Sequence, residues 1–477
     1  MSSSRRRHIV VIVMDTARAD AFEPYGAPAG ATPGTRDLAA RGWSAPYAVA
    51  PSCWTLPSHV GFLFGRHHPA AGLTQPTQAS GAHARPVLEA NADRYLPKVL
   101  QRNGYRTTGV STNLWVQPHA GFGIGFDTFH ELWNHRQPGH PGSPLLDRAY
   151  WARRGVRSHE DDGLSRVRGH VDTWIDDAAR SADPMFLFVN LVECHSPYLP
   201  PRPYNDLGAV RRAQAALDSR RYLNLPAIWR TNLARSAPPA PALRRMRHLY
   251  DQSIRYMDDW LTMVIERLDA RGILDDTVLI VTSDHGESFG EGGRIGHAFS
   301  LDDFLVRVPF VASGLDALPS GETFSLVRLP HLIATEVGLT DHPYSEHDAG
   351  SDHDIAISAM DGIAAPEDPR IAELLVQWEL GEAARGLMTA STVAASDGAL
   401  KLVRRGGHEQ VFDLQADRDE VTPLDPTADH AQAVARLRAA LDRAETTAPA
   451  PAGAGPVVVD DAETERIREQ MRLLGYL

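Results

Sequence analysis

The run Thr277-Val278-Leu279-Ile280-Val281-Thr282-Ser283-Asp284-His285-Gly286-Glu287 joins an apolar strand to a carboxylate, an imidazole and a glycine. Continuous β-branched and aliphatic residues without polar alternation read as a strand covered on both faces, the kind that builds parallel sheets. Asp284 and His285, side by side at its end with Gly286 behind them, can turn toward one cation. The chain opens the same way, with His8-Ile9-Val10-Val11-Ile12-Val13-Met14 running directly into Asp15. An Asp after a strand also serves as an ordinary helix cap. In open α/β sheets, however, ligands collect at the carboxyl ends of the strands, which makes Asp15, Asp284 and His285 a candidate metal set.

Working outward, 8–14, 106–112, Met185–Leu191 and Thr277–Thr282 are the clearest strands, with a long amphipathic helix before the last of them. The alternation of strands and helices implies an α/β fold with a mainly parallel sheet. Polar stretches rich in Pro and Arg at 135–165 and 202–245 read as surface excursions or lids, in which Trp151, Arg211, Tyr222 and Trp229 either line a pocket mouth or cover an apolar flank. Residues 398–414 read as a hairpin around Gly406-Gly407. The expected organisation is a catalytic domain over 1–345, a small α+β subdomain with an antiparallel sheet over 346–430, and a linker with a terminal helix over 431–477.

The 477 residues are 43% hydrophobic, enough for a large core. The net charge of −12 argues against a nucleic-acid polymer as partner. No apolar run is long enough to cross a bilayer, and Arg5-Arg6-Arg7 before the short first strand lacks a cleavage pattern, so neither a membrane nor a secretory route is expected. Two cysteines, Cys53 and Cys194, suit a reducing cytoplasm. A homo-oligomer is left open by the amphipathic end of the chain.

These pieces, in order, resemble the sulfatase-like branch of the alkaline phosphatase superfamily. The resemblance runs through Val10 to Asp20 with Tyr25-Gly26, Thr32-Pro33 to Gly42, Gly104-Tyr105-Arg106-Thr107, His195-Ser196-Pro197-Tyr198, Thr282 to Gly286, and Phe412-Asp413-Leu414. It implies an alkaline-phosphatase-like sandwich with a smaller C-terminal domain. The family's nucleophile motif is C-x-P-S-R, whose cysteine becomes formylglycine. Here Pro57-Ser58 puts Thr55 at the cysteine's position and His59 at the arginine's, while Cys53 stands two residues early. Thr55 is then expected to act unmodified, as the Ser or Thr of phosphatase and phosphodiesterase relatives does.

A threonine hydroxyl is too weakly acidic to attack at neutral pH without a cation, so Thr55 joins Asp15, Asp284 and His285 as an expected metal ligand. His195 and His297 are the expected proton-handling residues. Asn113, His59 and Tyr105 are expected to bind substrate. The family's oxygen-rich shell suits Ca²⁺ or Mg²⁺; His285 in place of its Asn shifts preference toward Mn²⁺, Zn²⁺ or Fe²⁺. One ion is favoured; a second would fall to Glu193, His195 and His297. The expected substrate is a small anionic ester, most of all a phosphodiester or phosphonate monoester. A sulfate-ester hydrolase and a phosphoryl-type transferase share the first half-reaction, and an inactive binding protein of this fold is the remaining alternative.

Overall fold

The computed structural model describes residues 7–67, 84–133, 143–319, 321–345, 354–363, 366–425 and 430–446. The helix expected over 461–474 lies outside the described residues. A seven-stranded sheet forms the centre: β1 (His8–Met14), β2 (Trp43–Ser44), β3 (Arg106–Ser111), β4 (Thr128–Glu131), β5 (Met185–Leu191), β6 (Thr277–Thr282) and β7 (Phe310–Ser313). Their spatial order is β2-β7-β6-β1-β5-β3-β4. The five strands from β6 to β4 are mutually parallel, and β7 runs antiparallel to both of its neighbours. The expected α/β class and the parallel centre are therefore what the chain forms.

Strand β1 shows why this sheet needs cover on both faces. All seven of its residues are buried. Ile9, Val11 and Val13 enter one apolar cluster, and Val10, Ile12 and Met14 enter the other. Side chains alternate across a strand, so a continuous apolar run fills two cores at once. Helices supply the cover: α1 (Pro33–Arg41), α2 (Thr55–Phe64), α3 (Pro144–Arg157), α4 (Leu164–Arg180), α5 (Ala209–Tyr222), α6 (Leu225–Ala234) and α7 (Ala240–Ala270). Leu56 and Val60 of α2 pack on the first face, whereas Val167 and Val171 of α4 and Met246 and Ile254 of α7 pack on the second.

The two polar excursions are helical and lean on one another. Helices α3 and α5 touch closely at Gly155, where a Cβ would stand 2.5 Å from the Arg212 carbonyl oxygen. Near the chain's end, β8 (Ala356–Met360), β9 (Thr392–Ser396), β10 (Leu400–Arg405) and β11 (His408–Asp413) form a four-stranded antiparallel sheet in that order. The expected hairpin is β10–β11. Residues 431–446 form a further helix that packs Val434, Leu437 and Leu441 on this sheet. Among the described residues no helix is long and apolar enough to cross a membrane.

A buried ion pair joins the small sheet to the larger part. Lys401, 1% exposed, donates to the Leu301 carbonyl and lies 3.0 Å from Glu420. Glu420 accepts the Asp303 N–H, and Asp303 accepts the Tyr47 hydroxyl. Glu420 Oε1 thus serves both the Lys401 ammonium and the Asp303 N–H, while Oε2 is buried without a hydrogen-bond partner among the described residues.

The first turn of α1 is capped from another helix. Asp258 on α7, with no solvent exposure, accepts Gly34 N–H and Thr35 N–H, each at 2.7 Å, and the Thr35 hydroxyl at 2.6 Å. Its removal would strand two helix-terminal donors and a hydroxyl in the core. Asp258→Ala is expected to lower the unfolding free energy by about 3 kcal/mol, read as a shift of the urea midpoint at constant slope.

Candidate active site

Register brings the ends of three central strands to one level. Val13 of β1 lies opposite both Asn190 of β5 and Thr282 of β6. The next residues along each strand therefore emerge together at the carboxyl edge, where Asp15, Asp284 and His285 meet. Their ligand atoms all lie within 4.8 Å of one another, and all three residues are fully buried.

The backbone after Asp15 is bent into place. Thr16 has φ of 65°, a region β-branched residues avoid, so its surroundings must hold it there. They do so with Thr16 N–H on Asp284 Oδ1 at 3.2 Å, its hydroxyl on the Cys194 carbonyl at 2.8 Å, and the Tyr250 hydroxyl on its own carbonyl at 2.8 Å. The Cys194 thiol donates to the Asp15 carbonyl at 2.9 Å.

A divalent cation fits this set. Asp15 Oδ1 and Asp284 Oδ2 are buried oxygens with no hydrogen-bond partner among the described residues. Burial and then the charge of Asp284 push the Asp15 carboxyl well above its usual range, and burial raises Asp284 as well. Burial also depresses His285, which keeps its imidazole neutral and able to coordinate. Two carboxylates in a dry pocket repel unless a cation lies between them.

Thr55 opens α2, 4% exposed, with Oγ1 3.5 Å from His285 Nε2. Three residues on, the Ser58 hydroxyl donates to the Asp284 carbonyl, which fixes the start of α2 against the end of β6. Cys53 packs in an apolar cluster with its sulfur 4.0 Å from that of Met360, and burial pushes its thiol up to about 12.

The two expected proton-handling histidines come together. His195 and His297 have ring centroids 5.1 Å apart, and His297 lies 4.6 Å from His285. His297 Nδ1 is 3.1 Å from Glu287 Oε1. Burial alone would lower His297 and raise Glu287, but their mutual attraction and hydrogen bond outweigh it, so His297 is raised and Glu287 lowered.

Other expected residues stand elsewhere or are differently engaged. Asn113 reaches the cluster, yet its amide donates to Asp15 Oδ2, and its own carbonyl accepts Trp115 N–H. His59, expected at the substrate, is instead fully enclosed beneath the metal set. Asn190 donates to its Nε2 at 2.8 Å, which assigns the proton to Nδ1, 2.9 Å from the Thr55 carbonyl and 3.4 Å from Asp284. It positions Asp284 and α2. Tyr105 is a plain correction: it precedes β3 at the opposite edge of the sheet, and its hydroxyl donates to the Arg7 carbonyl. Glu193 is engaged at the start of α4, where its carboxylate accepts Asp162 and Leu164 N–H.

Glu287 and Asn190 were the residues that sequence reasoning left without a role. Glu287 stood two residues after His285, and Asn190 interrupted an otherwise apolar strand; both were visible signals of a polar group placed at a strand end.

An α/β fold with a buried acidic crevice at its strand ends has the architecture of a metal-dependent hydrolase. The sulfatase family model matches residues 7–342, so the chain belongs to the sulfatase family. It is similar to the multifunctional alkaline phosphatase superfamily protein PehA of Trinickia caryophylli, 32% identical over 152 residues that cover 28% of this chain and 29% of that one. It is also similar to mouse (Mus musculus) iduronate 2-sulfatase, 23% identical over 65% of this chain and 60% of the relative. The chain thus spans less than two thirds of the length of these curated relatives. The solved phosphonate monoester hydrolase of Agrobacterium radiobacter superposes with a TM-score of 0.60 at 17% identity, over 93% of this chain and 96% of that one.

Metal analysis of the purified protein is expected to find one divalent ion per chain, lost in Asp284→Ala. Adding the ion back after chelation should raise the melting temperature of the wild type by several degrees and leave that of the variant unchanged.

Proposed function

We propose that the chain is a metal-dependent hydrolase of small anionic esters, with Thr55 as an unmodified covalent nucleophile and phosphonate monoesters or phosphodiesters as its substrates. The observation that carries the reading is the placement of Thr55 Oγ1, 3.5 Å from His285 Nε2 at the edge of the Asp15, Asp284 and His285 cluster. The ion held by Asp15, Asp284, His285 and Thr55 would supply Lewis acidity, favouring the ionised hydroxyl and drawing charge from the ester oxygens. An imidazole among its ligands favours Mn²⁺, Zn²⁺ or Fe²⁺ over Ca²⁺ and Mg²⁺.

Thr55 Oγ attacks phosphorus in line, and the bond from phosphorus to the alcohol oxygen breaks. The leaving oxygen takes a proton from His297, which Glu287 keeps protonated, or from His195 beside it. Water then attacks the phosphothreonine and gives a proton to the His297 imidazole, the bond from phosphorus to Thr55 Oγ breaks, and Thr55 regains from solvent the proton it released there on ionising. Asn113 orients Asp15, and His59 orients Asp284, so neither takes a proton in these steps. The unpaired, buried Cys53 and Cys194 support a cytoplasmic setting.

A sulfate-ester hydrolase is the second reading, favoured by the family model and by the resemblance to iduronate 2-sulfatase. Turnover of aryl sulfate, phosphate monoester, diester and phosphonate monoester by one preparation separates the two: a dominant preference for sulfate would overturn the phosphorus reading. Thr55→Ala is expected to lower kcat by about a thousandfold or more with the metal retained, while Thr55→Ser keeps measurable activity. Intact mass after brief substrate exposure should show an adduct that maps to Thr55; an adduct elsewhere, or undiminished turnover in Thr55→Ala, sinks the nucleophile assignment. His297→Gln is expected to slow esters of poor leaving groups by about a hundredfold and activated aryl esters far less.

A further inference from the structure

Three arginines lie on or beside the segment that carries His297. Arg294 is buried and pairs with Asp302. Arg405, the last residue of β10, donates to the Phe299 carbonyl at 3.0 Å. Arg235, exposed at the end of α6, has φ of 50° and no hydrogen-bond or ion-pair partner among the described residues. Arg235 cannot simply swing away with its helix, because Asn232 ties α6 to the same segment through the Ala298 carbonyl at 3.2 Å and the Ile295 N–H at 2.8 Å.

Two of these guanidiniums, those of Arg235 and Arg294, converge. A Cβ on Gly292 would lie 3.0 Å from Arg294 Nη1 and 3.7 Å from Arg235 Nη1, so both forks stand over one bare stretch of backbone. Burial and the charge of Arg294 lower Arg235. Burial, and then Arg294 and Arg235 against the pull of Asp302, brings Arg405 down to about 10. Asp302, paired with Arg294, is also the carboxylate whose charge acts on Arg235 and Arg405. Uncompensated like charges held this close are costly unless an anion completes the group. Guanidinium forks match carboxylate, sulfate and phosphate oxygens in pairs. The cluster adjoins the segment of the candidate active site, since Phe299, whose carbonyl Arg405 holds, is two residues beyond His297.

We propose that Arg235, Arg294 and Arg405 form a second anion site that holds an acidic group of the substrate away from the scissile ester, so that the preferred substrates are esters bearing a further carboxylate, sulfate or phosphate. This deepens the hydrolase reading and rests on it for the word substrate. It also assigns the C-terminal sheet a part in specificity, through Arg405.

The test compares a plain phenyl ester, of whichever acid the wild type hydrolyses, with the same ester carrying a ring carboxylate on spacers of zero to two methylenes. At least one carboxylate ester is expected to show a kcat/KM tenfold or more above the parent, chiefly through KM. Arg235→Gln and Arg405→Gln should bring that ratio toward one, and Arg235→Lys should restore part of it. A ratio near one in the wild type, or one unchanged in both Gln variants of normal melting temperature, overturns the proposal. Calorimetry on Thr55→Ala separates this outcome from failure of the hydrolase reading, since it needs no turnover. There, 4-(carboxymethyl)benzenesulfonate should bind at least tenfold tighter than benzenesulfonate, with the difference lost in Thr55→Ala/Arg235→Gln. Arginine-dependent binding of inorganic sulfate with no gain for the carboxylate would make this a site for a free anion and overturn its role in substrate choice.

Discussion

Two aspartates held out of water within reach of one another set the terms for the rest of this structure. Asp15 and Asp284 are both fully enclosed; burial drives both carboxyls upward, and the charge of Asp284 adds to the shift of Asp15. Such a pair is tolerable only with donors on its free lone pairs and a cation between its charges. The donors are specific: the Asn113 amide on Asp15, the Thr16 and His285 N–H groups on Asp284. His59, neutral because it is buried, completes the support from below.

The scaffold spends conformational strain in the same place. Thr16, Tyr198 and Phe299 all have positive φ, and each lies within a few residues of Asp15, His195 or His297. Strain of this kind persists where surrounding contacts over-determine the backbone. Tyr198 is fully enclosed against Tyr250 and Phe289, and Phe299 packs on Trp229. Gly286 shows how little room is left: a Cβ there would stand 2.1 Å from the Phe304 carbonyl oxygen. Rigid strand ends thus set the positions of the ligands, while tightly packed turns aim them.

Much of this was legible in the sequence because continuous apolar runs have one physical meaning. The runs at 8–14, 185–191 and 277–282 are β1, β5 and β6 to the residue. Asp15, Asp284 and His285 could be grouped because parallel strands deliver their carboxyl ends to one edge. What could not be read was lateral order and side-chain traffic. The pairing of Glu287 with His297 crosses a short two-stranded turn, and Glu193 gives its oxygens to a helix start that sequence spacing does not locate. Tyr105 was misplaced for a simpler reason: it precedes its strand, and the amino edge of a parallel sheet faces away from the crevice.

Lys401 and Glu420, buried together under the loop at 301–303, connect these observations to how such a chain can be rearranged. Each of the two charges is neutralised by the other and by backbone of the larger part, so neither half of the contact is a self-sufficient surface. The small sheet is consequently not a detachable module. Recombining it with another catalytic part would require carrying over residues 301–303 and Tyr47 together with β10, and any transplant that ignored them would leave the buried Lys401–Glu420 pair without its backbone hydrogen bonds at the seam.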